Sequence, residues 1–392
     1  MRKFVLLLSL SLVTVSACGF QITKNEVISV RESVSEPADK LPLVEDGPIK
    51  NVIFVIGDGT GLAQLYSGQV SLVGKEGWLN IQTMPVTGLV TTHAANRLIT
   101  DSAAGATAYS CGVKTNNGMI GQLPDGRHCK TILEIAEENG LSTGLVATST
   151  ITHATPASYA AHIDSRSKQP EIAEQYVSSG VEVLLGGGLE FFIPEGQPNS
   201  SRTGPRNLIS EFRNNGYDFV ENAQELENSD ADLILGLFSP AGMPSENRTP
   251  TLKEMTDKAL EVLNRNDQGF FLMVEGSQID WAGHGNDAEY SIREVADFDA
   301  AVKSILDFAV EDGQTLVVLT ADHETGGMGV KGAGNEQSLT VTWTTDYHTG
   351  VPVPLMAYGP HAIQFTGWHD NIDVGRKVAE IWGIGTLPQI IE

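Results

Sequence analysis

The sequence predicts an α/β fold, a mostly parallel central sheet with helices on both faces. Three observations carry that expectation. Continuous apolar runs recur along the chain, helical patterns lie between them, and acids and histidines fall directly after the runs. The first run, NVIFVIG at 51–57, reads as a strand buried on both faces. TGLVAT at 143–148, VEVLLG at 181–186, FFLMVEG at 270–276, TLVVLTA at 315–321 and VPLMAYG at 353–359 repeat it. Helices are expected within 131–140, 251–266 and 288–313. Residues 190–250, rich in Gly, Pro, Asn and Ser, read as a surface excursion and not as a separate domain. No internal repeat occurs at solenoid periods.

With 392 residues, of which 41% are hydrophobic, the chain can bury a large core. Its formal charge of −24 argues against nucleic acid and against an anionic membrane surface as partners. An anionic substrate stays compatible, because bound divalent cations would dominate the local field. At the N-terminus, Arg2 and Lys3 precede an apolar run too short to span a membrane. It ends in Val15-Ser16-Ala17-Cys18, which resembles the lipobox of bacterial lipoproteins. Residues 1–17 are therefore expected to be a signal peptide and Cys18 the lipidated first residue, an ordinary secretory signal being the alternative. The protein would be exported and lipid-anchored to a bacterial membrane, periplasmic or at the cell surface. Loss of Arg2 and Lys3 leaves 23 − 49 = −26. Residues 18–50 read as a flexible polar tether, spanning roughly 30 Å root-mean-square if coil-like, and 51–392 as one domain. For Cys111 and Cys129 a disulfide and two buried thiols both stay open.

The stretch TDSAAGATAYSCG at 100–112 organises the chemistry. Ser102 stands at an expected helix start, where free N–H groups and the positive dipole end favour an anion. Small residues behind it would let a ligand approach the backbone. A capping serine on a tightly packed helix is the plainer reading. As a nucleophile Ser102 needs an activator, and no G-x-S-x-G elbow surrounds it. The ends of the apolar runs supply one. Asp58, Glu275 and the Asp322-His323 pair follow or close three of them, and His153 and Thr155 follow a fourth. In open α/β sheets such positions converge on one crevice. Asp280 and His284 are four apart, one face of a helical turn, and His348 lies in a Gly-bounded loop. Imidazole with carboxylate suits zinc, whereas Asp58, Thr155 and Glu275 offer oxygens, which suits magnesium. A two-metal clamp would serve phosphoryl displacement and activate Ser102. Arg166 has the planar fork that matches phosphate.

Taken in order, these residues resemble the alkaline phosphatases. The matching stretches are VIGDGTG at 55–61, TDSAAGATAYSCGVKT at 100–115, THATPASYAAHIDSR at 152–166, MVEGSQIDWAGHGND at 273–287, TADHETGG at 320–327, YHTG at 347–350 and AYGPHA at 357–362. The resemblance implies a single catalytic domain over 51–392 that hydrolyses phosphate monoesters at alkaline pH. It implies Ser102 as the phosphorylated nucleophile and Arg166, steadied by Asp101, as the phosphate grip. Asp280, His284 and His348 would hold one zinc, Asp58, Asp322 and His323 a second, and Asp58, Thr155 and Glu275 one magnesium. His153 stands where some members carry a carboxylate beside the magnesium, and Trp281 where others carry lysine or histidine. That combination is most similar to bacterial, often marine or cold-adapted, members. Only 348 − 323 = 25 positions separate His323 from His348, so the crown insertion must be absent or reduced, which leaves a homodimer open. A phosphodiesterase or sulfatase of the same superfamily is the competing enzyme reading, although no C-x-P-S-R signature is present. A lipoprotein that binds phosphate or metal without turnover is the competing non-enzyme.

Overall fold

The computed structural model describes residues 24–31 and 38–391, so the signal segment and Cys18 lie outside the described residues. Ten strands form the central sheet: β1 Asn51–Gly57, β2 Val86–Thr91, β3 Ser142–Thr150, β4 Val183–Gly187, β5 Asp218–Val220, β6 Ile234–Leu237, β7 Phe270–Gly276, β8 Thr315–Thr320, β9 Val353–Tyr358 and β10 Gly367–Asp370. Their order is β10-β2-β9-β8-β1-β7-β3-β4-β6-β5. Every pairing is parallel except the two that β9 makes.

Among the helices that build the core are α1 Leu62–Leu72, α2 Ser102–Cys111, α3 Ile132–Glu138, α4 Ala154–Ala160, α5 Leu252–Leu263, α6 Gln278–Gly285, α7 Ala288–Asp312 and α8 Asn371–Trp382. Alternate residues of β1 enter two different cores. Val52, Phe54 and Ile56 pack in the cluster that holds Tyr109 of α2, Ile132 of α3, Tyr159 of α4 and Val378 of α8. Ile53 and Val55 pack in the cluster of Leu65 from α1, Met255 from α5 and Val295 from α7. Helices therefore cover both faces, and two-sided burial is why NVIFVIG shows no polar alternation. Capping boxes start α3 at Thr131/Glu134 and α5 at Thr251/Glu254.

Several expectations need correction. The excursion at 190–250 supplies β5 and β6, which extend the main sheet beyond β4. ILGL at 234–237 is too short to stand out among polar neighbours, and only pairing with β4 and β5 makes it a strand. Strand β2 was hidden by Gly88. A Cβ there would lie 2.4 Å from the Phe365 carbonyl oxygen, so the glycine admits the turn that packs on it. The tether is not free along its described length. Asn25–Ser29 forms a strand antiparallel to Ser338–Thr342, which pairs in turn with Gly329–Gly332. Ile28 is buried while Val27 stays exposed, the alternation of a strand laid on a hairpin edge. Leu41 and Val44 further pack against the second core. That hairpin is the main structure between His323 and His348, consistent with a reduced crown. Cys111 and Cys129 are free buried thiols, the Cys111 Sγ 3.2 Å from the Cys129 carbonyl oxygen.

Candidate active site

Four neighbouring parallel strands, in the order β8-β1-β7-β3, end at one edge of the sheet. Asp322 and His323 follow β8, Asp58 follows β1, Glu275 nearly closes β7, and His153 and Thr155 follow β3. The register brings them level, since Ile56 lies opposite both Thr320 and Glu275, and Glu275 opposite Ala147. Helix α6 follows β7 at once and carries Asp280 and His284 one turn apart. His348 comes before its strand, not after. Because β9 runs against its neighbours, its start lies at the same edge, with Leu355 opposite Thr320.

Ser102 is the first residue of α2, and the cap is Asp101. Asp101 Oδ1 accepts from the Ala104 N–H at 3.0 Å and Oδ2 from the Gly118 N–H at 2.9 Å. The capping reading of Ser102 is thus displaced, and its hydroxyl is not consumed by the helix. Ser102 Oγ lies 3.2 Å from His323 Nε2. The small residues behind it admit a protein neighbour: a Cβ at Gly105 would be 3.0 Å from the Asp322 carbonyl oxygen. They seat α2 on the end of β8. Arg166 donates through Nη1 to Asp101 Oδ2 at 3.3 Å and through Nη2 to His153 Nε2 at 3.1 Å. Asp101 therefore links the helix start to the guanidinium.

Three adjoining groups of ligand atoms each lie within 4.8 Å of one another: Asp280/His284/His348, Asp58/Asp280/His323 and Asp58/His153/Glu275. The first is the set expected from sequence. In the second Asp280 stands where Asp322 was expected. Asp322 adjoins it, with Oδ2 at 3.2 Å from His323 Nε2 and Oδ1 accepting from the Gly59 and His323 N–H groups. In the third His153 joins Asp58 and Glu275. His284 Nε2 is 3.2 Å from His348 Nε2 and 3.4 Å from Asp280 Oδ2. Backbone carbonyls orient both rings. His284 Nδ1 donates to Asp346 O at 2.7 Å and His348 Nδ1 to Thr100 O at 2.9 Å, which turns each Nε2 towards the cluster.

The electrostatics demand a cation. Both Asp58 oxygens, Thr155 Oγ1, Glu275 Oε1 and Asp322 Oδ2 are buried without a hydrogen-bond partner. Ionised carboxylates so placed cost several kcal/mol each unless positive charge lies near. Burial, then repulsion from Asp322, Asp280 and Glu275, pushes Asp58 well above the usual carboxylate range. Burial also lifts Glu275 to about 7 and, with Asp280 adding to it, Asp322 to about 6. It lowers His323 to about 4 and, together with His323, lowers His348 to about 4. His323 and His348, held neutral, keep a lone pair for a metal, whereas the hydrogen bond to Asp280 lifts His284 to about 8 while no cation competes for its Nε2. Mixed nitrogen and oxygen donors suit zinc, and Asp58, Glu275 and Thr155 add a mainly oxygen set for magnesium. The residues fit divalent cations.

Some participants escaped the sequence reading. The Thr325 hydroxyl donates to Asp280 Oδ1 and lies 3.2 Å from His323 Nδ1. It sits inside TADHETGG, where a threonine before two glycines reads as a turn residue. Thr100 and Asp346 act through carbonyls, which no side-chain pattern reveals. Ser277 Oγ donates to Glu275 Oε2 at 2.7 Å. Trp281 meets His153 edge-on, ring centroids 6.2 Å apart, and closes over Gly242.

The family model for alkaline phosphatase matches residues 49–339. Alkaline phosphatase 3 of Bacillus subtilis is 36% identical, with 84% of this chain and 88% of that protein covered. The solved structure of alkaline phosphatase from the Antarctic bacterium TAB5 matches with a TM-score of 0.79 at 37% identity, covering 87% of this chain and 100% of that one. Two variants of the TAB5 enzyme, with one histidine replaced by Glu or Asp, have magnesium bound in the M3 site. The chain belongs to the alkaline phosphatase family and hydrolyses phosphate monoesters.

Proposed function

We propose that hydrolysis runs through a phosphoserine at Ser102. Zinc would be held by Asp280/His284/His348 and by Asp58/Asp322/His323, Asp280 also lying among the second set of ligand atoms. Magnesium would be held by Asp58, Thr155 and Glu275 beside His153. The observation that carries the covalent reading is the Ser102 hydroxyl, left free by the Asp101 cap and 3.2 Å from His323 Nε2. Bound divalent cations supply Lewis-acid stabilisation of charge at the reacting oxygens. Arg166, held by Asp101 and His153, presents its remaining N–H groups to the phosphate oxygens. Ser102 Oγ gives up its proton and bonds to phosphorus as the P–O ester bond breaks, and the leaving oxygen takes up a proton to depart as the alcohol. Water then attacks the phosphoserine, freeing inorganic phosphate and restoring Ser102.

Ser102→Ala tests this. The variant is expected to keep its circular dichroism and metal content while its rate on an aryl phosphate falls by several powers of ten. An aryl diester and an aryl sulfate serve as comparison substrates and should be poor for the wild type. Labelled phosphate trapped on the variant, or near-normal turnover, would return Ser102 to a structural role.

Export and anchoring rest on the N-terminal pattern. Cys18 would be the first mature residue and carry lipid, and stable anchoring takes more than one acyl chain. The Asn25–Ser29 strand begins 25 − 18 = 7 positions later. At about 3.5 Å per extended residue the catalytic domain would stand within roughly 25 Å of the attachment point. Fractionation and intact mass of wild type and Cys18→Ala check it. A soluble unmodified wild type, or a variant still on the membrane, would leave an ordinary secreted enzyme.

A further inference from the structure

The Asn25–Ser29 strand and the residue before it reach the elements that carry Asp280, His284 and His348. Glu26 Oε2 accepts two hydrogen bonds, from Trp343 Nε1 at 2.8 Å and from the Ala288 N–H at 3.0 Å. Its Oε1 pairs with Lys24 Nζ at 3.1 Å, and Lys24 Nζ also donates to the Asn286 carbonyl. The Lys24 carbonyl accepts from the Trp343 N–H at 3.2 Å. The strand thus grips the end of α6, the start of α7 and the turn at 343–347 together.

Two of these grips lead on towards the cluster. Trp343, fully buried, lies against Gly326, where a Cβ would be 2.5 Å from the indole. The Gly326 N–H donates to the Tyr347 carbonyl at 2.9 Å, next to His348. Asn286 Nδ2 donates to the Thr345 carbonyl at 2.8 Å and to the Gly283 carbonyl at 2.7 Å, which ties the turn to α6 beside His284. The same turn offers the Asp346 carbonyl to His284 Nδ1. We propose that Glu26 is a positioning residue for the Asp280/His284/His348 site: through Trp343 and the 343–347 turn it fixes the His284 imidazole orientation, and the backbone leading into His348, that a zinc ion needs. The inference rests on the reading of that cluster as a zinc site. Outer partners of metal ligands set affinity by fixing ring orientation before the ion arrives.

The test is zinc binding to the metal-depleted full mature chain, read by competition with a chromophoric chelator, with circular dichroism as the fold check. Glu26→Ala is expected to weaken zinc by about tenfold, the low end for outer-shell partners. Glu26→Gln, whose amide oxygen still accepts, should recover most of that loss. Val27→Ser, on the exposed side of the same strand, should match the wild type. Trp343→Phe removes the indole donor and should weaken zinc similarly, and combined with Glu26→Ala it should add little. A folded Glu26→Ala with wild-type affinity overturns the inference. So does full additivity of the pair, and if Glu26→Ala does not fold, a folded Trp343→Phe with wild-type affinity overturns it instead. If the wild type binds no zinc that His284→Ala abolishes, the metal reading itself fails, and this inference falls with it.

Discussion

Arg166 shows how a residue that looks ordinary in sequence acquires a role by placement. Its side chain is about a quarter exposed, and a lone arginine there would be a weak surface ion pair. Two partners hold it instead, Asp101 and His153, and Asp101 also caps the helix that begins with Ser102. Preorganised in this way, the guanidinium would lose little freedom in taking phosphate as proposed. Arg166→Ala should therefore raise KM and weaken inhibition by inorganic phosphate more than it lowers metal content. A hydrogen bond to a charged group is worth about 1.5–3 kcal/mol, so KM should rise roughly 10- to 150-fold. Steady-state kinetics with phosphate as inhibitor check it, and unchanged constants would leave Arg166 a surface ion pair. The TADHETGG motif made Asp322 and His323 legible, but the part played by Thr325 needed Asp280 beside it.

At the scale of elements, α3 and β3 carry a stability device remote from the site. Glu137 near the end of α3 accepts from Thr143 Oγ1 on β3 at 2.9 Å, and Glu182 accepts from the Thr143 N–H at 2.6 Å. Burial lifts Glu137 to about 7, with the Thr143 hydrogen bond opposing and Glu182 adding. The folded chain then keeps a proton that the unfolded chain has lost above about 4.3. Folded stability from this group therefore falls as pH rises from about 4.3 through about 7 and is level beyond. Glu137→Gln, which keeps the acceptor and removes the charge, should melt higher than the wild type at pH 8–9 and about equally at pH 4. Melting curves across that range decide it, and a gap of constant size would refute the titration. In sequence this pair is invisible: 182 − 137 = 45 positions separate the two acids, and only parallel pairing of β3 with β4 brings them together.

Across the whole molecule, the sheet edge concentrates buried acids that the protein alone leaves unpartnered. Metal removal should accordingly abolish activity and lower the melting temperature together, since ligands bound only by the folded state stabilise it. Zinc with magnesium should restore both better than either ion alone, because mixed and mainly oxygen donor sets lie side by side. Elemental analysis of the reactivated enzyme provides the check. Full activity without any transition metal would remove the zinc reading. Among the described residues no helix is long and apolar enough to cross a membrane.

The sequence by itself determined the α/β class, the buried strands at 51–57, 270–276 and 315–320, and the gathering of Asp58, Glu275, Asp322 and His323 at their ends. Those features are local: an apolar run long enough to be buried on both faces, followed by a polar residue that must leave the sheet. Tertiary structure decided the rest. The reversed direction of β9 brings His348 to the edge from before its strand. Asp101 takes the cap and frees Ser102, because its second oxygen is held by the Gly118 N–H across the turn. Asp280 lies between two ligand groups because α6 packs on Gly59, where a Cβ would be 2.6 Å from the Asp280 Cα. The polar N-terminal stretch becomes a strand because the 329–342 hairpin offers it an edge. Strand direction, helix seating and edge pairing depend on partners far along the chain, and no local pattern encodes them.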